Sequence, residues 1–147
     1  MQWIGLRPEH EAPMRVVLHA SALLDRGLDG DRVARRAGGK RQVTLIQAEH
    51  LPALAALTGH AQIPPEWLRR NLVVSGLNLV ALKKLRFAIG DEVVLEGTGP
   101  CEPCMKLEAR LGEGAYHAMR GPGGSTAKIL RGGALRVGDE VRALPPG

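Results

Sequence analysis

Residues 41–47 (RQVTLIQ) set the expectation for the fold, because they predict a β-strand. Polar and apolar residues alternate along this segment, and the β-branched side chains of Val43, Thr44 and Ile46 are typical of strands. Working outward, residues 71–76 (NLVVSG) and 92–96 (EVVLE) have the same character. Shorter strands are predicted at 2–8, 127–130 and 140–144, so predicted strands occur along the whole chain.

The predicted helices are few and short. Val16, Ala20, Leu23 and Leu24 have helical spacing, and Gly27 ends that segment. Further helices are predicted at 51–58, 64–68 and 104–111. Strands outnumber helices and no regular strand–helix–strand alternation is present, which favours a β-barrel or a β-sandwich with inserted helices.

Length and composition indicate one domain, residues 1–147. A chain of 147 residues buries enough surface to fold without a disulfide or a metal. Its 19 glycines and 10 prolines argue against a long-helix bundle. No apolar run is long enough to span a membrane, and Arg7, Glu9 and Glu11 interrupt the place where a signal peptide needs its apolar core. We therefore expect a cytoplasmic protein with no membrane partner and with reduced cysteines.

The positive charge is concentrated in two stretches. Twenty Lys and Arg residues against fifteen Asp and Glu residues give a formal net charge of +5. Residues 114–138 carry four basic side chains and no acid, and residues 32–41 carry five and no acid: Arg32, Arg35, Arg36, Lys40 and Arg41. Such stretches attract anions, so three interpretations arise: a solvated basic face, a site for a small phosphorylated ligand, and nucleic-acid binding.

Nucleic acid is the least favoured of these three partners. Proteins that bind single strands stack bases on aromatic side chains, and this chain has only four aromatic residues: Trp3, Trp67, Phe87 and Tyr116. Arginine is preferred over lysine in the basic stretch, and a guanidinium group suits bidentate binding of a phosphate.

Residues 98–106 (TGPCEPCMK) hold both cysteines and are chemically the most distinctive segment. The pair supplies two of the four ligands that a structural zinc site needs. The C-x-x-C spacing is also that of a thiol-redox protein, although the usual strand–helix–strand setting is missing. A third interpretation is a thiolate, favoured by a helix N-terminus and by Lys106, that ligates a soft metal such as molybdenum or carries sulfur. The fourth is two ordinary buried thiols.

Five motifs, taken in order, carry a family resemblance. They are GLDGD at 27–31, RQVTL at 41–45, RNLVVSGLNL at 70–79, LEGTGPCEPC at 95–104 and RGGALRVGD at 131–139. Together they resemble the MOSC family, the domain named for the C-terminus of molybdenum cofactor sulfurases. The resemblance implies a mainly β fold, a closed β-barrel with short inserted helices. It also implies binding of the molybdenum cofactor, a pterin that carries a phosphate and a dithiolene.

The resemblance also assigns roles to particular residues. Cys104 matches the family cysteine that is a molybdenum ligand or a carrier of sulfur, and Cys101 ranks second to it. Arg70 and Asn71 match the arginine–asparagine pair that begins the central strand. We expect Arg70 to bind the cofactor phosphate, and Thr98 and Asn71 to offer hydrogen bonds beside the metal.

Five further residues complete the expected site. Arg35, Arg36 and Arg41, in the basic stretch, are expected to help hold the cofactor phosphate. Asp31 has two interpretations, a turn or capping residue and a site residue. Arg120 lies on a glycine-rich loop, which is either a plain exposed loop or one that closes over a ligand.

The resemblance implies a reductase of N-hydroxylated compounds that uses a cysteine-ligated molybdenum. Its partners would then be a small-molecule substrate, such as an N-hydroxylated base, and a separate electron-transfer protein, because two cysteines are too few for an iron–sulfur cluster of its own. One alternative is a carrier that passes sulfur, as a persulfide, or the cofactor to another protein without turnover of its own. A second alternative is the C-x-x-C thiol-redox protein.

Overall fold

The structure, a computed structural model, describes residues 1–101, 111–120 and 122–146, and these ranges are mainly β. Their eleven strands are Trp3–Leu6 (β1), Arg15–Val17 (β2), His19–Leu23 (β3), Gly27–Leu28 (β4), Val43–Gln47 (β5), Leu72–Val74 (β6), Arg86–Ile89 (β7), Val93–Pro100 (β8), Ser125–Arg131 (β9), Gly133–Arg136 (β10) and Val141–Ala143 (β11). The α-helices are Leu51–Thr58 (α1), Pro65–Leu68 (α2) and Ala115–Ala118 (α3). Single 3₁₀ turns occur at Arg32–Arg35, Ala48–His50 and Leu79–Leu82.

The strands form two sheets. The larger sheet has eight strands in the order β11-β7-β8-β9-β5-β6-β1-β2, and the smaller has three in the order β10-β3-β4. Strands β5 and β6 are parallel, whereas the other paired strands are antiparallel. The crossover from β5 to β6 contains α1 and α2, as a parallel connection requires.

The prediction of a closed barrel is wrong. Closure requires the two edge strands of a sheet to pair with each other at a fixed stagger. Here β11 and β2 end the large sheet, and in the described ranges β11 pairs with β7 and β2 pairs with β1. The sheets are therefore open and mixed. Both edge strands are only three residues long, and β3, β4 and β10 form a separate sheet instead of continuing the large one.

The helix predicted at 16–24 is also wrong, because that segment forms β2 and β3. Its apolar residues have helical spacing, but Val16 and Val17 are β-branched, and pairing of these strands with β1 and β10 overrides the local pattern. The glycines and the proline of residues 97–100 likewise predict a break in the chain, but β8 continues through this segment to Pro100. The helix predicted at 104–111 lies almost wholly outside the described residues.

Strand β5 divides the core into two parts. Its five residues are all buried, because both faces of this strand are covered. Leu45 points to one cluster with Leu72 and Leu95, and Ile46 points to a second with Leu54. Helix α1 packs on the sheet through this second cluster, which covers the outer face of β5. Thr44 belongs to the same strand.

In the described part of the chain, every helix is too short or too polar to cross a membrane.

Candidate functional site

A basic cleft of about 550 Å³ lies beside the 3₁₀ turn Arg32–Arg35. Glu9, His10 and Val33 line it together with the basic side chains of the turn and of the loop that follows: Arg32, Arg35, Arg36, Lys40 and Arg41. The five basic residues that the sequence places within ten positions therefore share one concave surface. The loop between them contains Gly38 and Gly39, both with positive φ and with open space where a Cβ would lie.

Most of the cations in this cleft have no carboxylate partner among the residues that the structure describes. Arg35 is paired with Glu9 at 2.6 Å, and its hydrogen bond holds the pKa of Glu9 below the usual value. Arg36, Lys40 and Arg41 form no ion pair with any residue the structure describes. Within the same ranges the buried Nε of Arg32 has no hydrogen-bond partner. Several cationic donors in the cleft are thus available to an anion.

Thr98 connects this cleft to the end of strand β8. The register of β8 against β9 shifts between Gly97 and Gly99, so Thr98 is the extra residue of a β-bulge. A bulge turns a side chain away from the regular alternation. The Thr98 hydroxyl donates to the carbonyl of Lys40 and lies 2.6 Å from the hydroxyl of Thr126. This contact fixes the cleft loop against the strand that leads to the cysteines.

Cys101 follows directly at the end of β8 and is buried, with 3% of its surface exposed. Its backbone N–H donates to the carbonyl of Gly124 at 3.0 Å. Cys104, the cysteine that the resemblance ranks first, lies outside the described residues. The structure therefore places one of the two predicted cysteines next to the bulge and gives no geometry for the other.

Arg70 is buried beneath the loop that holds Cys101. Its Nε donates to the carbonyl of Gly123 at 2.9 Å and its Nη1 to the carbonyl of Leu68 at 3.0 Å. Gly124 has a φ of +109°, and a Cβ there would lie 2.3 Å from the carbonyl oxygen of Leu45. Arg70 and the glycine thus position the loop that accepts the Cys101 N–H. We find Arg70 in this supporting place, away from the lining of the basic cleft.

Asp31 and Asn71 belong to a buried polar network behind the cleft. The carboxylate of Asp31 accepts hydrogen bonds from Arg7 Nε at 3.2 Å and Nη2 at 3.1 Å, and caps the 3₁₀ turn through the N–H of Val33. Asn71 Nδ2 donates to Asp31 at 3.0 Å, and its Oδ1 accepts from the N–H and the hydroxyl of Thr44. Both side chains are therefore fully engaged in holding the turn and strand β5 together.

The electrostatics of Asp31 reflect a balance of two effects. Burial raises the pKa of this carboxyl group, but the hydrogen bonds and charge of Arg7, together with the hydrogen bond from Asn71, lower it more. The net pKa lies below the ordinary value, so Asp31 is ionised at neutral pH. The ion pair is buried, with 5% of the Arg7 side chain and 1% of the Asp31 side chain exposed.

The predicted site residues thus fall into separate groups. Arg36 and Arg41 meet in the cleft, Thr98 adjoins it, and Cys101 continues from the same strand. Arg120 is exposed at the end of α3 and does not line the cleft. Sequence reasoning missed Arg7, whose pairing with Asp31 depends on a contact between residues 24 positions apart. Arg32 and Lys40 were visible as part of the basic stretch, but nothing in the sequence separated them from solvated charges.

Comparison with protein families relates the chain to a known domain. The MOSC domain model matches residues 31–142. YuaD of Bacillus subtilis strain 168, a protein named for metal-sulfur cluster biosynthesis, is 28% identical to the chain over 116 residues. This alignment covers 69% of the chain and 59% of YuaD, so it spans less than two thirds of that relative's length.

Comparison with solved structures identifies proteins that share this fold. The crystal structure of YuaD from Bacillus subtilis has a TM-score of 0.82 at 20% identity and covers 97% of this chain and 93% of that one. YiiM from Escherichia coli has a TM-score of 0.72 at 18% identity, with 100% and 71% covered. YiiM from Geobacillus stearothermophilus has a TM-score of 0.73 at 15% identity, with 99% and 74% covered. At these identities the likeness shows a shared fold.

Proposed function

Because the chain belongs to the MOSC domain family, we propose that it binds a phosphate-bearing molybdenum cofactor and uses it to reduce N-hydroxylated compounds. The observation that carries this proposal is the basic cleft beside the strand that leads to the cysteines. The cleft would hold the cofactor phosphate, and a cysteine of the 101–104 segment would ligate the molybdenum. Electrons would come from a separate protein.

The donors in the cleft fit a phosphate group. Arg36 and Arg41 offer planar guanidinium groups that bind phosphate oxygens in pairs, and Lys40 adds a point charge. Arg32 lines the cleft and has a buried Nε without a partner in the described ranges, so a phosphate would offer that donor an acceptor. Arg35 would need to leave Glu9 to take part, so it is the least available of the five.

The cysteine segment supplies the soft ligand that molybdenum prefers. A thiolate suits a soft metal centre, whereas the carboxylates near the cleft do not. Glu9 and Asp31 are already bonded to Arg35 and Arg7. The N–H of Cys101, at the start of this segment, donates to the carbonyl of Gly124. Arg70 donates to the neighbouring carbonyl of Gly123 and so positions the same loop. These contacts would fix where the segment starts relative to the cleft.

When bound, the cofactor supplies the two-electron chemistry, in which R–NHOH, two protons and two electrons give R–NH₂ and water. The residues of this chain would bind and orient. The cleft holds the anionic end of the cofactor, and Thr98 keeps the cleft loop next to β8. Burial of Cys101 keeps water away from the start of the metal-binding segment.

The test replaces each cysteine separately by serine in the full chain. The protein is purified from a host that makes the molybdenum cofactor, and its molybdenum and pterin contents are measured together with reduction of an N-hydroxylated base by a reconstituted electron donor. We expect Cys104→Ser to lose both molybdenum and activity, and Cys101→Ser to keep part of each. Retention of full molybdenum content and activity by Cys104→Ser would show that the assignment is wrong.

A second candidate function is a carrier of sulfur or of the cofactor, and the name of the relative YuaD favours it. In this case Cys104 would carry a persulfide and transfer its outer sulfur atom to a partner protein. The chain itself would reduce no substrate. Incubation with a cysteine desulfurase and cysteine, followed by mass spectrometry, tests it. One additional sulfur on Cys104, in a protein inactive with every electron donor supplied, is the result that selects the carrier.

A further inference from the structure

A second pocket, of about 320 Å³, is connected to Thr98 through Thr126. It is formed by the 3₁₀ turn Leu79–Leu82, the end of β8 and the start of β9. Thr126 lines it, and the hydroxyl of Thr126 is the one that contacts Thr98. This volume is at the small end of the range for ligand pockets, ~300–1,000 Å³, and fits a molecule of one or two rings.

The walls of this pocket are mostly apolar. Leu79, Val80 and Pro100 line it, and the polar side chains that the described strands add are the hydroxyls of Ser125 and Thr126. Gly99 has a φ of +131°, and among the described residues a Cβ at this position would meet Lys83 Cε alone within 4 Å, at 3.8 Å. A side chain at this position would therefore project into the pocket. Its absence leaves bare backbone as a surface on which a flat ring can lie.

Lys83 gives the pocket its charge. Its side chain lines the pocket, and no carboxylate among the described residues is paired with it. A lysine covers apolar surface with its methylene stem and keeps its ammonium group at the rim. Among its described lining residues, the pocket thus combines an apolar interior with one cation at its edge, which is complementary to a ring that carries one acidic group.

We propose that this pocket binds an aromatic or heteroaromatic anion, with its ring between Leu79, Val80 and Pro100 and its acidic group at Lys83. Pro100 is the residue before Cys101, so the ligand would lie against the start of the cysteine segment. This site is distinct from the phosphate cleft, since no described residue lines both. The inference goes beyond the proposed function and does not require a bound cofactor.

The experiment titrates 2-naphthoate into the full chain, freed of any cofactor, and measures binding by calorimetry. The neutral amide, 2-naphthamide, has the same ring and serves as the comparison ligand. We expect saturable binding of one 2-naphthoate per chain, and 2-naphthamide to bind about tenfold more weakly, since it loses the charge-assisted contact with Lys83. Absence of saturable binding of 2-naphthoate overturns the proposal.

Three variants identify the pocket. Val80 is 61% exposed, so Val80→Trp fills the pocket mouth without disturbing the core and is expected to abolish binding. Lys83→Met is expected to weaken 2-naphthoate about tenfold while leaving 2-naphthamide unchanged. Lys84→Met removes a neighbouring charge that does not line the pocket, and it should bind as the parent protein does. Equal losses in Lys83→Met and Lys84→Met overturn the proposal.

A fourth variant separates this pocket from the basic cleft. The double change Arg36→Gln with Arg41→Gln removes two cleft charges, and 2-naphthoate is expected to bind it normally. Loss of 2-naphthoate binding in that variant would place the anion in the cleft and overturn the proposal. Neither result depends on molybdenum loading, so failure of this inference and failure of the proposed function are distinguishable.

Discussion

The ion pair of Arg7 and Asp31 supports the cleft from behind. Asp31 is bonded to Arg7, to Asn71 and to the N–H of Val33, the second residue of the 3₁₀ turn. This 3₁₀ turn places Arg32 and Arg35 in the lining of the cleft. A buried pair of this kind is costly to break from one side, because the remaining charge keeps its burial and loses its partner.

Replacing Asp31 by asparagine should destabilise the protein in a pH-dependent way. At pH 7 we expect the free energy of unfolding to fall by about 3–5 kcal/mol, because Arg7 is left as an uncompensated buried charge. The folded-state pKa of Asp31 lies below its unfolded value. The stabilisation from its ionised form is therefore complete above an unfolded pKa of about 3.9 and is lost as pH falls through the folded pKa.

Urea unfolding of both proteins between pH 7 and pH 2 measures this effect. The difference between the parent and Asp31→Asn should be constant above about pH 5 and should shrink at lower pH. Asp29→Asn is the control, since Asp29 is exposed and should show little effect. A difference that is small at pH 7, or that does not change with pH, would contradict the role given to the ion pair.

At the residue scale, the sequence identified side chains but not their roles. The basic stretch left a solvated face, a phosphate site and a nucleic-acid site as interpretations, and the structure gathers its five cations in one cleft. Asp31, Asn71 and Arg70 were singled out by motif, yet each bonds to protein groups far away in sequence. Such bonds depend on how strands β1, β5 and β6 pair, which no local pattern encodes.

At the element scale, the end of β8 connects the cleft, the cysteine and the second pocket. Gly97 has no room for a side chain, because a Cβ there would lie 2.2 Å from the carbonyl oxygen of Leu82. The N–H of Lys84 donates to the carbonyl of Gly97, and the N–H of Gly97 donates to the carbonyl of Leu85. The segment 82–85 therefore packs directly on the strand just before the bulge.

Gly97→Ala should force these two segments apart. We expect a loss of about 1–3 kcal/mol in the free energy of unfolding, because the obstacle is backbone and not the tip of a flexible side chain. Gly59→Asn is a suitable control. Gly59 ends α1 in the left-handed conformation that asparagine tolerates, and nothing lies within 4 Å of its Cβ position. Thermal unfolding that ranks Gly97→Ala as no less stable than Gly59→Asn would refute the close approach.

Thr98→Val should loosen the cleft loop while keeping the shape of the side chain. The hydroxyl that reaches the Lys40 carbonyl and Thr126 is lost, at a cost of about 1 kcal/mol. Hydrogen exchange measured by mass spectrometry should then be faster in residues 38–42. Thr58→Val is the matched control, since that hydroxyl bonds within α1. Unchanged exchange at 38–42 in Thr98→Val would show that the bulge does not hold the loop.

The sequence predicted strands and helices correctly where the local residue pattern agrees with the pairing that the segment makes in the fold. The helix at 51–58 matches α1, and the predicted strands at 41–47 and 71–76 contain β5 and β6. The segment 16–24 misled, since its spacing is helical and its partners are distant strands. The glycine-rich 97–100 also misled, because glycines are needed there for close packing and for a bulge rather than for a turn.

At the scale of the whole molecule, the order of the motifs identified the family correctly, whereas the barrel architecture inferred from the family was wrong. The resemblance to the MOSC family is confirmed by the match over residues 31–142. The closed barrel expected with it is wrong, because β2 and β11 remain edge strands of an open sheet. A sheet closes only when its two edge strands pair with each other, and here β2 and β11 do not pair. A sequence pattern within one segment does not encode that pairing.

The excess of positive charge is also a property of the whole molecule. The chain has a net charge of +5, and three cations of one cleft form no ion pair with a described residue: Arg36, Lys40 and Arg41. A general attraction to anions would depend only on the number of charges. Specific binding of a phosphate-bearing cofactor depends on where they lie. Two variants with the same net charge separate these cases.

The most direct measurement is the molybdenum and pterin content of protein purified from a host that makes the cofactor. Arg36→Gln with Arg41→Gln removes two charges from the cleft, and Arg15→Gln with Arg136→Gln removes two from outside its lining. We predict that the cleft variant loses cofactor at least about tenfold, through loss of charge-assisted hydrogen bonds, while the second variant retains as much as the parent. Equal cofactor content in the two variants, or a parent protein without molybdenum and pterin, would contradict the proposed function.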